Sequence, residues 1–365
     1  MRAEDEGASG ERAVGDGASG WSAHGTGGVE GETGRAATDT AAADEAEGAA
    51  QPRVLVAGVD GGGSKTRTVV ADETGRVLGT ADGPASAVRA GAPGGADYAA
   101  DVVAAGVRDA LAAAGLADAR VQALVAGVAG TGREPERASL WQALAAREVA
   151  EEVSVVPDAA IALDDAFGDG PGVLLIAGTG SVAFARGPDG TFARTGGWGP
   201  VLGDEGSGGW LGRRALNMAV ASSDGREPET ALLNALLAAL ELDEPAGLIA
   251  WAARAKPVDF AALAPVVGRV AAGGDLRANS LLTLAVEELA IHVRTLARRL
   301  FADERAAVPV ALAGGLLGRG GGVLRKRLEQ RLRTAVPGAV LRQEAVEPAR
   351  GAVRGALKLL GVELN

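Results

Sequence analysis

The chain has 365 residues, a formal net charge of −11 at pH 7 and 47% hydrophobic residues, which is enough for two domains with substantial cores. It contains no cysteine and only two histidines. Thiolate metal centres, disulfides and cysteine nucleophiles are therefore excluded, and a Ser–His–Asp triad or a multi-histidine metal site is disfavoured. The remaining chemistry rests on carboxylates, hydroxyls, lysine and backbone amides, a set that suits an oxygen-ligated Mg²⁺.

The first 51 residues differ in composition from the rest of the chain. They lack apolar periodicity, and the first fifty carry eleven acidic side chains against three arginines. We predict a disordered acidic tail over residues 1–51, because such a stretch buries too little surface to offset its ordering entropy. No basic stretch indicates nucleic-acid binding, and no apolar run approaches the ~18 residues of a membrane span. The amino end also lacks a secretion signal, so we expect a cytoplasmic protein without nucleic-acid or membrane partners.

Apolar runs of strand type alternate with helical spacing from residue 54 onward. We predict, in chain order, strands at 54–59, 66–71 and 76–79, a helix at 97–114, a strand at 121–128, a helix at 134–147, a strand at 153–156 and a helix at 158–166. Trp141 is expected on the apolar face of its helix. Asp164 and Asp165, late on the last of these helices, are expected to be solvated.

The second part of the chain repeats this organisation. Predicted strands at 172–177, 181–186 and 191–194 form a meander, and the remainder is mostly helical, with a long helix at 275–301. A strand at 308–313, a helix at 321–335, a strand at 340–342 and a helix at 348–360 complete the chain. Each half thus begins with a meander around a glycine-rich turn, which predicts an internal structural duplication.

The turn of the first meander reads Asp60-Gly-Gly-Gly-Ser-Lys-Thr66. Its consecutive amides, two hydroxyls and one ammonium suit β- and γ-phosphate binding, and the candidate ligands are Gly61, Gly62, Gly63, Ser64, Lys65 and Thr66. Asp60, at the strand end, could hold Mg²⁺ through water. The alternative is a plain hairpin, but hairpins rarely need three glycines followed by Ser-Lys-Thr. The turn is not a Walker loop, because no helix follows its lysine.

The turn of the second meander offers a similar set of groups: Gly178, Thr179, Gly180 and Ser181. Gly314 and Gly315, after the strand at 308–313, would let the backbone lie against an adenosine. Each of these glycine pairs also fits an ordinary turn when judged alone. Two anion-type turns in two related halves nevertheless suggest a nucleotide clamped between two domains.

Five segments occur in an order that is typical of one family: Asp60–Thr66, Val156–Leu163, Ala177–Ser181, Gly196–Ser207 and Ala313–Leu317. In this order they resemble the N-acetylglucosamine kinases and BadF/BadG-type ATPases of the actin-like ATPase superfamily. The resemblance implies an α/β fold of two actin-like (ribonuclease H-like) domains with a nucleotide cleft between them. We expect these domains at residues 52–165 and 166–347, with a C-terminal helix at 348–361 that packs back on the first.

The resemblance also implies a reaction, which is ATP- and Mg²⁺-dependent phosphorylation of the 6-hydroxyl of an amino sugar, with N-acetylglucosamine favoured. Asp158 is the candidate catalytic base, although its position before a helix also suits an N-cap, and Pro157 stands where the family usually has Asn. The candidate sugar-binding residues are Ser86, Gly130, Gly197, Trp198 and Asp204. Ser86 also replaces a usual Asn.

Several alternatives remain open at this point. Glucosamine and muramyl sugars are competing substrates, and a non-catalytic, nucleotide-dependent sugar-sensing or interaction module is a competing function. The dehydratase activators of the same superfamily need a cysteine-ligated cluster, which a chain without cysteine cannot hold. Relatives in the family are often homodimers, which makes a homodimer an expectation here.

Overall fold

Two five-stranded sheets form the frame of the protein. The computed structural model describes residues 54–88, 95–301, 306–318 and 322–362, so the predicted acidic tail lies outside the described residues. The first sheet has the order β3-β2-β1-β4-β5. Its strands are β1 (Leu55–Gly61), β2 (Lys65–Asp72), β3 (Val77–Pro84), β4 (Ala123–Val128) and β5 (Glu152–Pro157). The first three strands are antiparallel, whereas β4 and β5 continue parallel to β1.

The second sheet has the same topology. Its order is β10-β9-β6-β7-β8, in which β6, β7 and β8 form the antiparallel meander and β9 and β10 continue parallel to β6. Its strands are β6 (Gly172–Ala177), β7 (Ser181–Arg186), β8 (Phe192–Gly196), β9 (Val308–Ala313) and β10 (Ala339–Leu341). The predicted duplication and the predicted two-sheet α/β fold are confirmed.

Helices cover the sheets and fall close to their predicted positions. Their bounds are α1 (Gly95–Ala113), α2 (Glu134–Ala145), α3 (Asp158–Phe167), α4 (Gly208–Ser223), α5 (Leu232–Ala239), α6 (Gly247–Ala252), α7 (Pro257–Ala261), α8 (Ala264–Ala272), α9 (Leu276–Leu300), α10 (Gly322–Ala335) and α11 (Pro348–Leu359). No helix in the described ranges is long and apolar enough to cross a membrane. Trp141 does not lie on a buried face as predicted, because it is half exposed and its indole N–H donates to the Val153 carbonyl.

The cores follow from the apolar strands. In the first half of the molecule, built on the first sheet, α1 packs against one face through a cluster that includes Val59, Val103 and Leu124. The helix α11 covers the other face through Val353 and Leu357. In the second half, built on the second sheet, the long helix α9 packs its apolar stripe on β6 and β7. Burial of both sheet faces explains why the central strands read as continuous apolar runs.

One of the late acidic residues of α3 contradicts the sequence-based expectation. Asp165 has a fully buried side chain that accepts hydrogen bonds from the Arg350 guanidinium and the Glu347 amide. Asp164 accepts from Arg186 at 3.0 Å. The prediction of a solvated side chain was wrong for Asp165, because its partners are more than 180 residues away along the chain. Asp164 is partly exposed and pairs with an arginine 22 residues away.

Candidate active site

Three parallel strands of the first sheet end at one edge and bring predicted site residues together. Asp60 is in register with Gly127 on β4, and Val128 is in register with Pro157 on β5. The carboxyl ends of β1, β4 and β5 therefore present Asp60, the loop at Gly130, and Asp158. Ligands of open α/β sheets bind outside such carboxyl ends.

The first glycine turn is held from behind by a loop. The Gly62 amide donates to the Lys65 carbonyl at 2.9 Å, and the Gly62 carbonyl accepts from the amides of Ser86 and Ala87. Gly63, Ser64 and Lys65 are exposed. The accessible face of this turn therefore carries one hydroxyl, one ammonium and a glycine amide.

Thr66 and Ser86 lie beneath the turn rather than on its open face. Both are 1% exposed. The Thr66 hydroxyl lies 2.7 Å from the Pro84 carbonyl oxygen, to which it donates, and 2.7 Å from the Ser86 hydroxyl, with which it forms a second hydrogen bond. Their side chains support the turn from inside the protein in this structure.

The Asp158 carboxylate is one of the groups that shift the pKa of Asp60. The pKa of Asp60 is raised to about 6, chiefly by burial and then by the nearby Asp158 carboxylate, against the opposing effect of the Lys65 ammonium. Burial also raises the pKa of Asp158, against the stabilising hydrogen bond from the Ala159 amide. Two partly desolvated carboxyls therefore share this edge of the sheet.

The start of α3 accounts for the orientation of Asp158. Pro157 has φ −60° and ψ 144°, an extended conformation that its ring favours, and it precedes the first helical residue. One oxygen of Asp158 accepts from the Ala159 amide at 2.9 Å. This local bond leaves the second oxygen for another partner. Because Pro157 occupies the N-cap position and Asp158 is the first helical residue, the N-cap interpretation of Asp158 is wrong, and its catalytic role stays a prediction.

The Asp60 and Asp158 carboxyls could supply part of the ligand set of a divalent cation. Waters and substrate phosphates would have to supply the rest. Within the described ranges, no group of three or more His, Cys, Asp or Glu side chains is arranged to hold a metal ion. Mg²⁺ usually keeps several waters and takes one or two carboxylates together with substrate phosphates. Two carboxyls beside an exposed phosphate-type turn match that donor set, and a cation there would relieve their mutual repulsion.

The second glycine turn is backed by a helix instead of a loop. The amides of Gly208 and Gly209, in the first turn of α4, donate to the carbonyls of Gly178 and Thr179 at 2.8 and 3.1 Å. Ser207 caps the same helix by accepting from the Trp210 amide. The side chain of Thr179 remains exposed.

Ser181 joins the second turn to the predicted sugar loop, residues 196–206. It is 2% exposed. Its hydroxyl donates to the Glu205 carbonyl at 2.7 Å, its amide donates to the Asp204 carboxylate at 3.3 Å, and its carbonyl accepts from the Gly197 amide at 2.9 Å. The Ser181 hydroxyl therefore already has a hydrogen-bond partner within the protein.

The sugar loop presents an aromatic side chain and a carboxylate. Trp198 is 66% exposed, with the Arg194 guanidinium 5.3 Å from its ring centre. Asp204 has a φ of +62°, a conformation that is uncommon for residues other than glycine and often marks a functional loop. A cavity of about 160 Å³ adjoins it, lined among others by Thr179, Asp204, Trp210, Arg213 and Phe260.

The predicted adenosine turn lies beside the second glycine turn. Because β9 runs parallel to β6, Gly314 and Gly315 follow the strand next to the one that ends at Ala177. The Leu316 amide donates to the Ala177 carbonyl at 3.0 Å. The structure thus groups the candidate residues into two sets, one at the edge of each sheet, with α3 between the sheets.

His292 is a residue of this region that sequence reasoning did not select. It lies on α9 behind the sugar loop, and its ring would meet a Cβ at Gly196 at 2.7 Å. Burial lowers the pKa of His292, and the Glu205 carboxylate opposes that shift. No local sequence signal could reveal it, because the loop and the histidine are almost a hundred residues apart.

These features define a class of protein: a duplicated α/β protein that carries two phosphate-type turns, each between the first two strands of its sheet, with paired carboxyls at one of them. Residues 57–356 match the BadF/BadG/BcrA/BcrD ATPase family. The chain belongs to this family, and the resemblance inferred from its motifs is confirmed.

Two curated proteins resemble the chain. It is 30% identical over 313 residues to the N-acetyl-D-glucosamine kinase of Dictyostelium discoideum, over 82% of this chain and 97% of that protein. It is 32% identical over 197 residues to the N-acetylmuramic acid/N-acetylglucosamine kinase of Clostridium acetobutylicum, over 53% of this chain and 64% of that protein.

Two crystal structures share the fold. A protein of Chromobacterium violaceum provisionally assigned as an N-acetylglucosamine kinase is 34% identical, with a TM-score of 0.66 over 82% of this chain and 98% of that one. A protein of Porphyromonas gingivalis with the same provisional assignment has a TM-score of 0.60 at 20% identity, over 84% of this chain and 99% of that one. The second likeness concerns the fold alone.

Proposed function

We propose that the protein phosphorylates an amino sugar at its 6-hydroxyl with ATP, and that N-acetylglucosamine is the preferred substrate. The observation that carries this proposal is the pairing of Asp60 and Asp158 beside the exposed Ser64 and Lys65. Phosphoryl transfer to a hydroxyl needs charge neutralisation at the phosphates and a carboxylate at the attacking oxygen. The names of the Dictyostelium and Clostridium relatives support the sugar class.

The nucleotide would lie between the two glycine turns. Exposed groups of residues 61–65 and the Thr179 hydroxyl would receive its phosphates, and Gly314 and Gly315 would receive its adenosine. Asp60 would hold Mg²⁺ through water, and the cation would supply charge neutralisation at the phosphates. This arrangement requires a cleft between domains at 52–165 and 166–347.

Asp158 would orient the sugar hydroxyl and accept its proton. Burial raises its pKa toward the working range of a general base. Because the base must be ionised, the rate should fall as the pH falls through that raised pKa. Closure of the cleft around the sugar would exclude water and limit hydrolysis of ATP.

The sugar loop would hold the ring of the substrate. Trp198 offers an apolar face to a pyranose or an acetyl methyl, and Asp204 can accept from two hydroxyls. Gly197 and Gly130 would line the same space. For Ser86 we propose an indirect role, through support of the first turn, because its hydroxyl is buried against Thr66.

Sugar-stimulated release of ADP tests this proposal. Purified protein with ATP and Mg²⁺ would be assayed with N-acetylglucosamine, glucosamine, N-acetylmuramic acid and glucose, and we expect the largest kcat/KM for N-acetylglucosamine. The Asp189→Asn variant serves as a control that should keep this activity, because its carboxylate is exposed in the β7–β8 turn. Absence of stimulation by every sugar would favour the non-catalytic sugar-sensing module.

An acidic amino sugar is the second candidate substrate. Arg213 lines the cavity that Asp204 also lines, and it offers a guanidinium to a sugar carboxylate. The Clostridium relative is named for N-acetylmuramic acid as well as N-acetylglucosamine. A higher kcat/KM for N-acetylmuramic acid, abolished by Arg213→Gln, would favour this candidate. The cytoplasmic location and the homodimer remain predictions.

A further inference from the structure

Two segments of the chain connect the two sheets. One is α3, between β5 and β6, and the other runs from β10 into α11. Asp165 lies on the first of these connections, and its partners Glu347 and Arg350 lie on the second.

Both carboxylate oxygens of Asp165 bind the second connection. One accepts from Arg350 Nε at 2.7 Å, and the other accepts from the Glu347 amide at 2.8 Å. The Asp165 side chain has no solvent exposure, whereas that of Arg350 is about half exposed. A buried carboxylate without these partners would be strongly unfavourable, so the contact constrains where the two segments meet.

The helix α11 is packed at backbone distance against both catalytic elements. A Cβ at Gly351 would lie 1.9 Å from the Ile161 carbonyl of α3, and a Cβ at Gly58 of β1 would lie 2.4 Å from the Ala349 carbonyl of α11. The strand β1 ends on Asp60, and α3 begins with Asp158. A displacement of α11 would therefore reach both carboxylates.

We propose that Asp165 is a positioning residue for phosphoryl transfer. Its contacts with Arg350 and Glu347 hold α3 against α11 where the chain passes between the halves, and so set the placement of Asp158 relative to Asp60. The kinetic part of this inference rests on the proposed function, whereas the conformational part does not.

The chain contains a matched control for this ion pair. Asp169, just after α3, pairs with Lys358 of α11, so it joins the same two segments. Both of those side chains are exposed, by 76% and 41%. Surface pairs of this kind contribute little to stability, so Asp169→Asn should leave the geometry unchanged.

The first experiment measures the distance between the halves. Because the protein has no cysteine, Ala112→Cys on α1 and Ala272→Cys on α8 would give two unique sites for spin labels, both of them exposed. We expect Asp165→Asn to broaden the interlabel distance distribution and Asp169→Asn to leave it as in the parent. Superimposable distributions for the parent and Asp165→Asn would overturn the inference.

The second experiment measures steady-state kinetics on the cysteine-free chain. Asp165→Asn should lower kcat about 10- to 100-fold, as expected for reacting groups displaced by about 1 Å, with KM for ATP and sugar changed less than threefold. Arg350→Ala should behave similarly, and Arg350→Lys should recover most of kcat. An unchanged kcat in Asp165→Asn, or an equal loss in Asp169→Asn, would contradict the inference.

Two further outcomes are informative. If Asp165→Asn does not fold, Arg350→Ala and Arg350→Lys carry the same comparison, since that side chain is partly exposed. If the parent phosphorylates no sugar but Asp165→Asn broadens the distance distribution, the proposed function fails while the positioning role of Asp165 in the nucleotide-binding fold is supported.

Discussion

The two glycine turns have the same place in the same topology, yet the protein surrounds them differently. The first is backed by a loop, through the amides of Ser86 and Ala87, and stands beside two partly buried carboxyls. The second is backed by the amino end of α4 and is joined to a loop with an exposed tryptophan. Under the proposed function, the first half would neutralise charge at the phosphates and the second half would hold the sugar.

The largest expected effect comes from removing the carboxylate that begins α3. Asp158→Asn should lower kcat by about 10²- to 10⁴-fold, the usual contribution of a general base, while sugar affinity measured by calorimetry changes little. A variant with near-normal kcat would contradict the assignment of Asp158 as the general base, and with it the proposed asymmetry between the halves.

Replacing Asp60 by Asn should stabilise the protein at pH 8 and abolish its activity. The Asp60 pKa of about 6 in the folded protein exceeds its ordinary value of 3.8, so folding favours the protonated form. The associated stability is present below about pH 4 and is lost as the pH rises through 6. Asp60→Asn should therefore increase the free energy of unfolding at pH 8 by up to about 3 kcal/mol, while abolishing activity.

Urea denaturation at pH 4 and pH 8, without nucleotide, measures this effect. The difference between Asp60→Asn and the parent should fall to less than about 1 kcal/mol at pH 4. An Asp60→Asn variant that is less stable than the parent at pH 8 would contradict the raised pKa and its cause.

Ser181 tests the connection between the second turn and the sugar loop. Ser181→Ala leaves the partly buried carbonyl of Glu205 without its hydroxyl donor, which should cost about 1–2 kcal/mol. We expect KM for the sugar to rise about tenfold, with a smaller change in kcat and in KM for ATP. An effect confined to KM for ATP would place Ser181 with the nucleotide instead.

The smallest effect is expected for a change at Ser86, which lies in the first half of the molecule. Ser86→Ala removes one partner of the Thr66 hydroxyl, which keeps its bond to the Pro84 carbonyl. We expect a loss of about 1 kcal/mol in the free energy of unfolding, with KM for the sugar within twofold of the parent. A tenfold rise in the KM for the sugar would support the original prediction that Ser86 binds the sugar.

Local patterns were sufficient for most of the frame. The apolar runs before Asp60 and Gly178 predicted buried strands, and the glycine turns between strands predicted two related meanders; the structure confirms both. Helix ends were predicted less well, because fraying and caps depend on neighbours. Trp141 was misplaced because the short helix α2 has only three buried residues and gives no strong apolar face.

The burial and the hydrogen-bond partners of polar side chains could not be predicted from local sequence patterns. Thr66 and Ser181 were selected because hydroxyls in glycine turns suit phosphates, and Ser86 because it stands where the family usually has Asn. The hydroxyls of all three bind groups within the protein. Asp165 was passed over because a carboxylate late on a helix is usually solvated. Burial of such groups depends on which distant segment reaches them.

By itself the sequence determined the order of strands and helices, the two glycine turns and the family, because each of these depends on residues that are close together in the chain. Only the tertiary structure decided that Asp60 and Asp158 share one edge, that the His292 ring lies close to Gly196, and that Asp165 meets Arg350. The physical reason is that parallel strand pairing and the packing of α11 join segments up to 185 residues apart, and burial and charge are properties of those contacts.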